Sequence, residues 1–202
     1  MFIEGFEYIL KDVRRAIIRS PKEEDIDSML DYLYKSASET DFVLRYPEEC
    51  SRYTKEKEKE LFERINSSDN EVMLVCIVDG KVAGNCDISW NNRIKTKHRA
   101  FIGIALLKDY WNQGIGTRFF EEMIRIAKEN ENILQLELDF IEGNTRARAL
   151  YEKMGFRITG VGVNAVRLKD GTLLNEYHMI KEMVVSNKLW KLWKLVSVRY
   201  IH

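Results

Sequence analysis

Asn144-Thr145-Arg146-Ala147-Arg148-Ala149-Leu150-Tyr151-Glu152-Lys153-Met154-Gly155-Phe156 is the stretch on which the reading of this chain turns. Ala147, Leu150, Tyr151 and Met154 recur at helical spacing, which predicts a helix from Asn144 to Met154 with one apolar face. Gly155 is a good C-cap, because glycine enters the left-handed conformation that ends helices without a Cβ penalty. Ile133 to Phe140 before the helix and Phe156 to Val163 after it read as strands. In the first of these, Leu136, Leu138 and Phe140 take one face and Glu137 and Asp139 the other.

Working outward toward the N-terminus, Tyr110-Trp111-Asn112-Gln113-Gly114-Ile115-Gly116-Thr117 joins an apolar strand (Phe101–Leu107) to a helix. That helix runs from Arg118 to Glu129, with Phe119, Phe120, Met123, Ile124, Ile126 and Ala127 at helical spacing. Helix N-termini carry N–H groups without intrahelical partners and the positive end of the dipole, and glycine lets an anion reach the backbone. The stretch is therefore either a pyrophosphate cradle or an ordinary glycine-containing turn. Phe119 stands where a dinucleotide-binding fingerprint needs its third glycine, and the Gly-Lys-Ser/Thr of a Walker loop is absent.

The remaining chain, 202 residues in all, reads as one domain with a tail. Its 32 basic and 32 acidic side chains balance, which gives no support for a nucleic-acid partner. No apolar run approaches the roughly 20 residues that span a bilayer, and Glu4, Glu7 and Lys11 interrupt the N-terminus, so neither a membrane partner nor a secretory signal is expected. The expected location is cytoplasmic. Cys50, Cys76 and Cys86 lack metal-ligand spacing and read as free thiols, and His98, His178 and His202 form no metal signature.

In chain order, Met1 to Asp12 is an extra strand or a loose arm, and Arg15 to Ser20 a short strand. Glu23 to Tyr34 reads as a helix, with Ile26, Met29, Leu30 and Leu33 in one stripe. Ser36 to Pro47 is a polar connection whose Phe42 and Tyr46 either line a pocket or pack over the core edge. Thr54 is a fitting N-cap for a charged helix to about Ile65. Glu71–Val78 and Lys81–Trp90 flank Asp79-Gly80, a hairpin signal. Asn91 to Lys97 connects to the strand Arg99–Leu107, and a last strand spans roughly Leu173 to Lys181. This order describes one α+β sheet domain over residues 1–183. The tail, 184–202, contains Lys188-Leu189-Trp190-Lys191-Leu192-Trp193-Lys194-Leu195. It covers a sheet edge or a partner, lies on an acidic membrane surface, or is a terminal addition without a role, which is the preferred reading.

The Asn144–Phe156 stretch resembles the second signature motif of the GNAT N-acetyltransferases, approximately N-x-x-A-x-x-L-Y-x-K-x-G-F, with every fixed position filled. The glycine stretch likewise resembles that family's acyl-CoA pyrophosphate loop, Q/R-x-x-G-x-G/A, at Trp111, Gly114 and Gly116. Trp111 departs from the usual Arg or Gln; branches resembling ribosomal-protein and polyamine acetyltransferases also carry Trp there. The resemblance covers about residues 15 to 182. It implies the GNAT fold: a central mixed, mostly antiparallel twisted sheet with a splayed pair of strands, flanked by helices.

By the same resemblance, the co-substrate is acetyl-CoA and no metal takes part. The implied cofactor-binding residues are Leu106, Leu107, Trp111, Asn112, Gln113, Gly114, Ile115, Gly116, Thr117, Asn144, Ala147 and Tyr151. Pantetheine would pair with backbone around Leu106 and Leu107, where a main-chain N–H polarises the thioester. Acetyl transfer to an amine needs a neutral amine, donors for the oxyanion and a proton for the leaving thiolate. Tyr151 corresponds to the family's tyrosine acid, and Asn144 bonds pantetheine, caps its helix, or both. For the base, Asp139 and Glu137 lead, with His98, Glu39, Asp41 and ordered water as alternatives. Phe42, Tyr46, Trp90 and Glu176 are the candidate acceptor-binding residues, with Tyr177 beside Glu176. The expected activity is direct transfer in a ternary complex to a primary amine: an amino acid, a polyamine or a protein N-terminus. Its rival is a non-catalytic acyl-CoA sensor or scaffold. Relatives often pair through a sheet edge, so a homodimer is an open option.

Overall fold

The computed structural model describes residues 1–183, and the readings of the Lys/Trp tail lie outside the described residues. In chain order the elements are β1 (Phe6–Ile9), β2 (Arg15–Arg19), α1 (Ile26–Glu39), α2 (Lys55–Asn66), β3 (Glu71–Val78), β4 (Lys81–Trp90), β5 (Arg99–Leu106), α3 (Ile115–Glu129), β6 (Gln135–Ile141), α4 (Thr145–Lys153), β7 (Arg157–Arg167) and β8 (Leu173–Glu182). The strands form one sheet in the order β1-β2-β3-β4-β5-β6-β8-β7. Among the described strands, only β5 and β6 run parallel. The sheet is thus mixed and mostly antiparallel, as expected.

Several boundaries moved for physical reasons. The N-terminal segment is a strand, paired with β2 from Phe6↔Ile18 to Ile9↔Arg15. Helix α1 continues through Glu39 rather than stopping at Tyr34. Its last turn buries the small residues Ser36 and Ala37, which a search for large apolar side chains passes over. Asp79 and Gly80 both take positive φ, 49° and 72°, as the predicted two-residue hairpin turn requires. Thr54 caps α2 by accepting the Lys57 N–H at 3.3 Å.

Alternation along the strands makes two cores. Val72, Leu74, Cys86, Ile88, Ala100, Ile102, Leu136 and Leu138 face α3 and α4, where Phe119, Phe120 and Met123 are fully buried. Each such side chain contributes on the order of 2 kcal/mol by leaving water. Val75, Ile77 and Val82 face the other way, onto Ile26, Met29 and Tyr32 of α1 and Phe62 of α2. The α1 end is fixed by a buried pair: Arg19 donates to Asp25 through both terminal nitrogens, at 2.5 and 2.9 Å. Helices α1 and α2 cover β3, the start of β4 and the far end of β5 at Ala105, leaving the other end of β5 accessible, with Phe101 exposed.

Candidate active site

The parallel pairing of β5 with β6 stops at Phe101↔Glu137, although both strands continue. The sheet therefore opens between them. On the β5 side, Leu107 N–H donates to the Ala83 carbonyl at 3.0 Å, so antiparallel alternation turns the amides of Ile104 and Leu106 away from β4, toward the opening. Leu107, expected at the cofactor, does not line this opening. Its N–H is taken by Ala83, its carbonyl by the Tyr110 N–H, and its side chain is buried in the α1/α2 core. Ile104 takes its place at the opening.

A cleft of about 990 Å³ runs from this opening to the start of α3. Leu106, Trp111, Asn112, Gly114, Gly116, Thr117, Asn144, Ala147 and Tyr151 line it, together with Phe42. At its far end, the first intrahelical bond of α3 is Arg118 N–H to Gly114 O, so the amides of Ile115, Gly116 and Thr117 have no helical acceptor. Gly114 at the N-cap has no side chain to cap them. Gly114 sits at φ 90°, a conformation costly for any residue with a Cβ. A Cβ at Gly116 would come within 2.8 Å of Leu150, so glycine there also lets α4 approach. Ile115 contributes backbone alone, since its side chain is core.

Trp111 resolves its own departure from the family pattern. Its indole N–H donates to the Leu106 carbonyl at 2.9 Å, tying the loop to the end of β5. The Arg146 guanidinium lies over the indole, 4.6 Å from the centroid, and donates to Asn112 Oδ1 at 2.6 Å. A cation from α4 thus stands where the motif usually supplies one, a role sequence reasoning missed because Arg146 occupies a variable position of the motif. Arg118, Lys153 and Lys11 add positive charge along the same cleft, offset in part by Glu7 and by Glu121, which pairs with Arg118 at 3.0 Å. Donor amides, four cations and an apolar channel toward the opening suit a long, phosphate-bearing thioester. Asn144 caps α4, accepting the Ala147 N–H at 3.2 Å, and lines the cleft as well.

Tyr151 reaches the opening from the α4 side, packed edge-on against Phe120 at 5.5 Å and Phe140 at 6.1 Å. Burial pushes its phenol pKa further up, so the hydroxyl holds its proton at neutral pH. On the opposite face of the sheet, Asp139 lies two positions past the last β5–β6 pair. Its Oδ1 is 2.7 Å from His178 Nδ1 on β8, its register partner. Both side chains are partly exposed. His178 was not among the expected site residues; only the strand pairing reveals it.

Glu137 does not fit the role of base. Its side chain is wholly buried, held by the Arg99 guanidinium on both oxygens and by Gln135 Nε2 at 2.7 Å. Burial alone raises its pKa, but the Arg99 and Gln135 hydrogen bonds outweigh that and hold it below the ordinary carboxylate value. His98 sits before β5, at the closed end, with its carbonyl bonded to Leu134 and Gln135 amides. Glu39 accepts the Lys108 N–H at 2.8 Å, and Asp41 is exposed beside Phe42.

The acceptor residues also sort differently. Phe42 meets the β6–α4 turn at Gly143, 3.7 Å from where a Cβ would stand, and lines the cleft. Tyr46 lines a separate cleft of about 130 Å³ and its hydroxyl accepts the Lys169 N–H at 3.0 Å. Trp90 is a core residue on the α3/α4 side, so it faces away from the acceptor surface. Glu176 shares a strand face with His178, whereas Tyr177 stacks on Phe140 at 5.1 Å on the other side. The carboxylate that sequence reading missed is Asp87 of β4, whose Oδ1 would lie 2.8 Å from a Cβ at Gly103. Burial, helped by nearby Glu71, pushes its pKa up to about 6.

Comparison with known proteins bears on the same elements. The model of the acetyltransferase (GNAT) family matches residues 30–156, from mid-α1 through the end of the Asn144–Phe156 motif. The chain belongs to the GNAT family. An acetyltransferase of the GNAT family from Streptococcus pneumoniae is 28% identical, with a TM-score of 0.77 over 83% of this chain and 99% of that one. At lower identity the fold is shared with two further structures. A ribosomal-protein-alanine N-acetyltransferase from Brucella melitensis is 21% identical, with TM-score 0.68 over 82% of this chain and 99% of that one. A phosphinothricin acetyltransferase from Sinorhizobium meliloti, in complex with acetyl-CoA, is 18% identical, with TM-score 0.69 over 83% and 88%. The GNAT chain described here is an acetyl-CoA-dependent acetyltransferase. Among its described residues, no helix is long and apolar enough to cross a membrane.

Proposed function

We propose that this enzyme acetylates a primary amine by direct attack in a ternary complex, with Tyr151 as acid and Asp139, oriented by His178, as base. The observation that carries this reading is that Tyr151 and the Asp139–His178 pair stand on opposite sides of β6, where β5 leaves it. Acetyl-CoA supplies the acyl carbon and a thiol leaving group. The amine approaches from the α1/α2 face, where Asp139 removes its proton directly or through water. The amides of Ile104 and Leu106 polarise the carbonyl, and Tyr151 protonates the sulfur from behind. The loop from Trp111 to Thr117 holds the pyrophosphate.

Asp87 and Asp139 favour a cationic acceptor. Among the described residues neither is paired with Lys or Arg, while Arg99 on the same face is committed to Glu137. An amino acid acceptor needs a free arginine for its carboxylate; a polyamine or a protein N-terminus does not. The test is thiol release from acetyl-CoA across a panel of diamines, polyamines, amino acids and peptides. Release stimulated by polyamines or peptides supports the reading. Binding of acetyl-CoA with no stimulation by any amine favours a sensor instead.

A further inference from the structure

The family match begins at residue 30, yet the β1–β2 hairpin before it makes four contacts with the pyrophosphate loop and its flanks. Tyr8 donates its hydroxyl to the Gln113 carbonyl at 3.2 Å, and the Asp12 N–H donates to Gln113 Oε1 at 3.2 Å. The Arg118 guanidinium lies 4.7 Å from the centroid of Phe6, and that of Arg14 lies 5.0 Å from the centroid of Tyr110. A side chain at Gly114 would collide with the Tyr8 hydroxyl. Glu7, Tyr8 and Lys11 form a wall of the same cleft, across from Thr117, Arg118 and Lys153.

We propose that the β1–β2 hairpin is a cofactor-positioning element, in which Tyr8 fixes the Gln113–Gly114 peptide and Lys11 contributes a cation to the phosphates of CoA. The inference rests on reading the Trp111–Thr117 loop as the pyrophosphate site. A planar peptide points its N–H opposite its carbonyl. Holding the Gln113 carbonyl on the hairpin therefore keeps an acceptor from turning toward an anion and leaves the loop amides as donors. Gly114 at φ 90° follows this peptide, and Asn112 at φ 64° lies one residue before it, so the loop holds two sparsely populated backbone conformations around the bond that Tyr8 ties down.

The test is calorimetric titration of the full chain with CoA, without acceptor. Tyr8→Phe removes one hydroxyl and keeps the ring; it is expected to raise the Kd for CoA about fivefold, the worth of one hydrogen bond. The KM for acetyl-CoA rises in parallel, while kcat stays within about twofold. Exposed Lys11→Ala is expected to raise Kd about threefold at roughly 50 mM salt, with the difference shrinking at roughly 500 mM. Wild-type affinity in both variants, or a loss of kcat in Tyr8→Phe without a change in Kd, overturns the proposal. Should Tyr8→Phe melt early, Lys11→Ala decides alone. Failure of the wild-type protein to bind CoA contradicts the loop reading itself and is thereby distinguished.

Discussion

Asp139 Oδ1 and His178 Nδ1 lie 2.7 Å apart across the β6–β8 pair, on the sheet face opposite Tyr151. In the proposed mechanism this carboxylate, held by the histidine at the mouth of the opening, takes the proton of the amine. Asp139→Asn should lower kcat by about 10²-fold or more while leaving the Kd for CoA unchanged. His178→Ala, which removes the orienting partner alone, should cost less. A full rate in both variants excludes the pair.

Tyr151→Phe keeps the edge-on contacts with Phe120 and Phe140, so its melting temperature should match the parent. Its kcat should fall by about 10- to 100-fold, because the departing thiolate loses its proton donor. Unchanged turnover across pH shows that the tyrosine is there for packing.

Arg146 over Trp111 replaces the missing loop cation. Arg146→Ala should raise the Kd for CoA about fivefold, removing both a stacked cation and a charge beside the phosphates. The effect should weaken with salt. Trp111→Phe should cost less in the Arg146→Ala background than in the parent, the cost that remains being the lost indole hydrogen bond to Leu106; fully additive losses in a double-mutant cycle contradict the coupling.

Asp87 links pH to stability. Its pKa is raised by burial from an ordinary 3.8 to about 6, so the folded state holds a proton that the unfolded state has released. Stability from this group is therefore full below about pH 4 and is lost as pH rises through about 6. Asp87→Asn should raise stability at pH 7.5 by on the order of 1–2 kcal/mol, seen in urea unfolding, with the gain vanishing near pH 4. An equal gain at both pH values points to a cause other than ionisation.

Much of this was legible in the sequence because local rules and global fold agree. Gly114 and Gly155 mark places where a positive φ leaves little choice, Gly116 marks the close approach of Leu150, and Thr54, Asn144 and Asp79-Gly80 name their own caps and turn. The misses share a cause: they depend on which strands become neighbours. His178 is one histidine on a strand until β8 is laid beside β6. Asp87 is an ordinary strand carboxylate until Gly103 is placed across from it. Trp90 was assigned to the acceptor side because its position in the chain does not give its face; β4 carries a register shift opposite Cys76 and Ile77, and pairing decides the alternation. Tyr8 lies more than a hundred positions from its partner Gln113, beyond any local pattern.

The central claim is catalysis on an amine, and thiol release from acetyl-CoA by the wild-type and Asp139→Asn proteins tests it most directly. The account predicts that polyamines or amine-terminated peptides stimulate release by the wild type well above acceptor-free hydrolysis, and that Asp139→Asn, binding CoA normally, loses most of that stimulation. Acetyl-CoA binding with no amine-dependent release in the wild type, or full stimulation in Asp139→Asn, contradicts it.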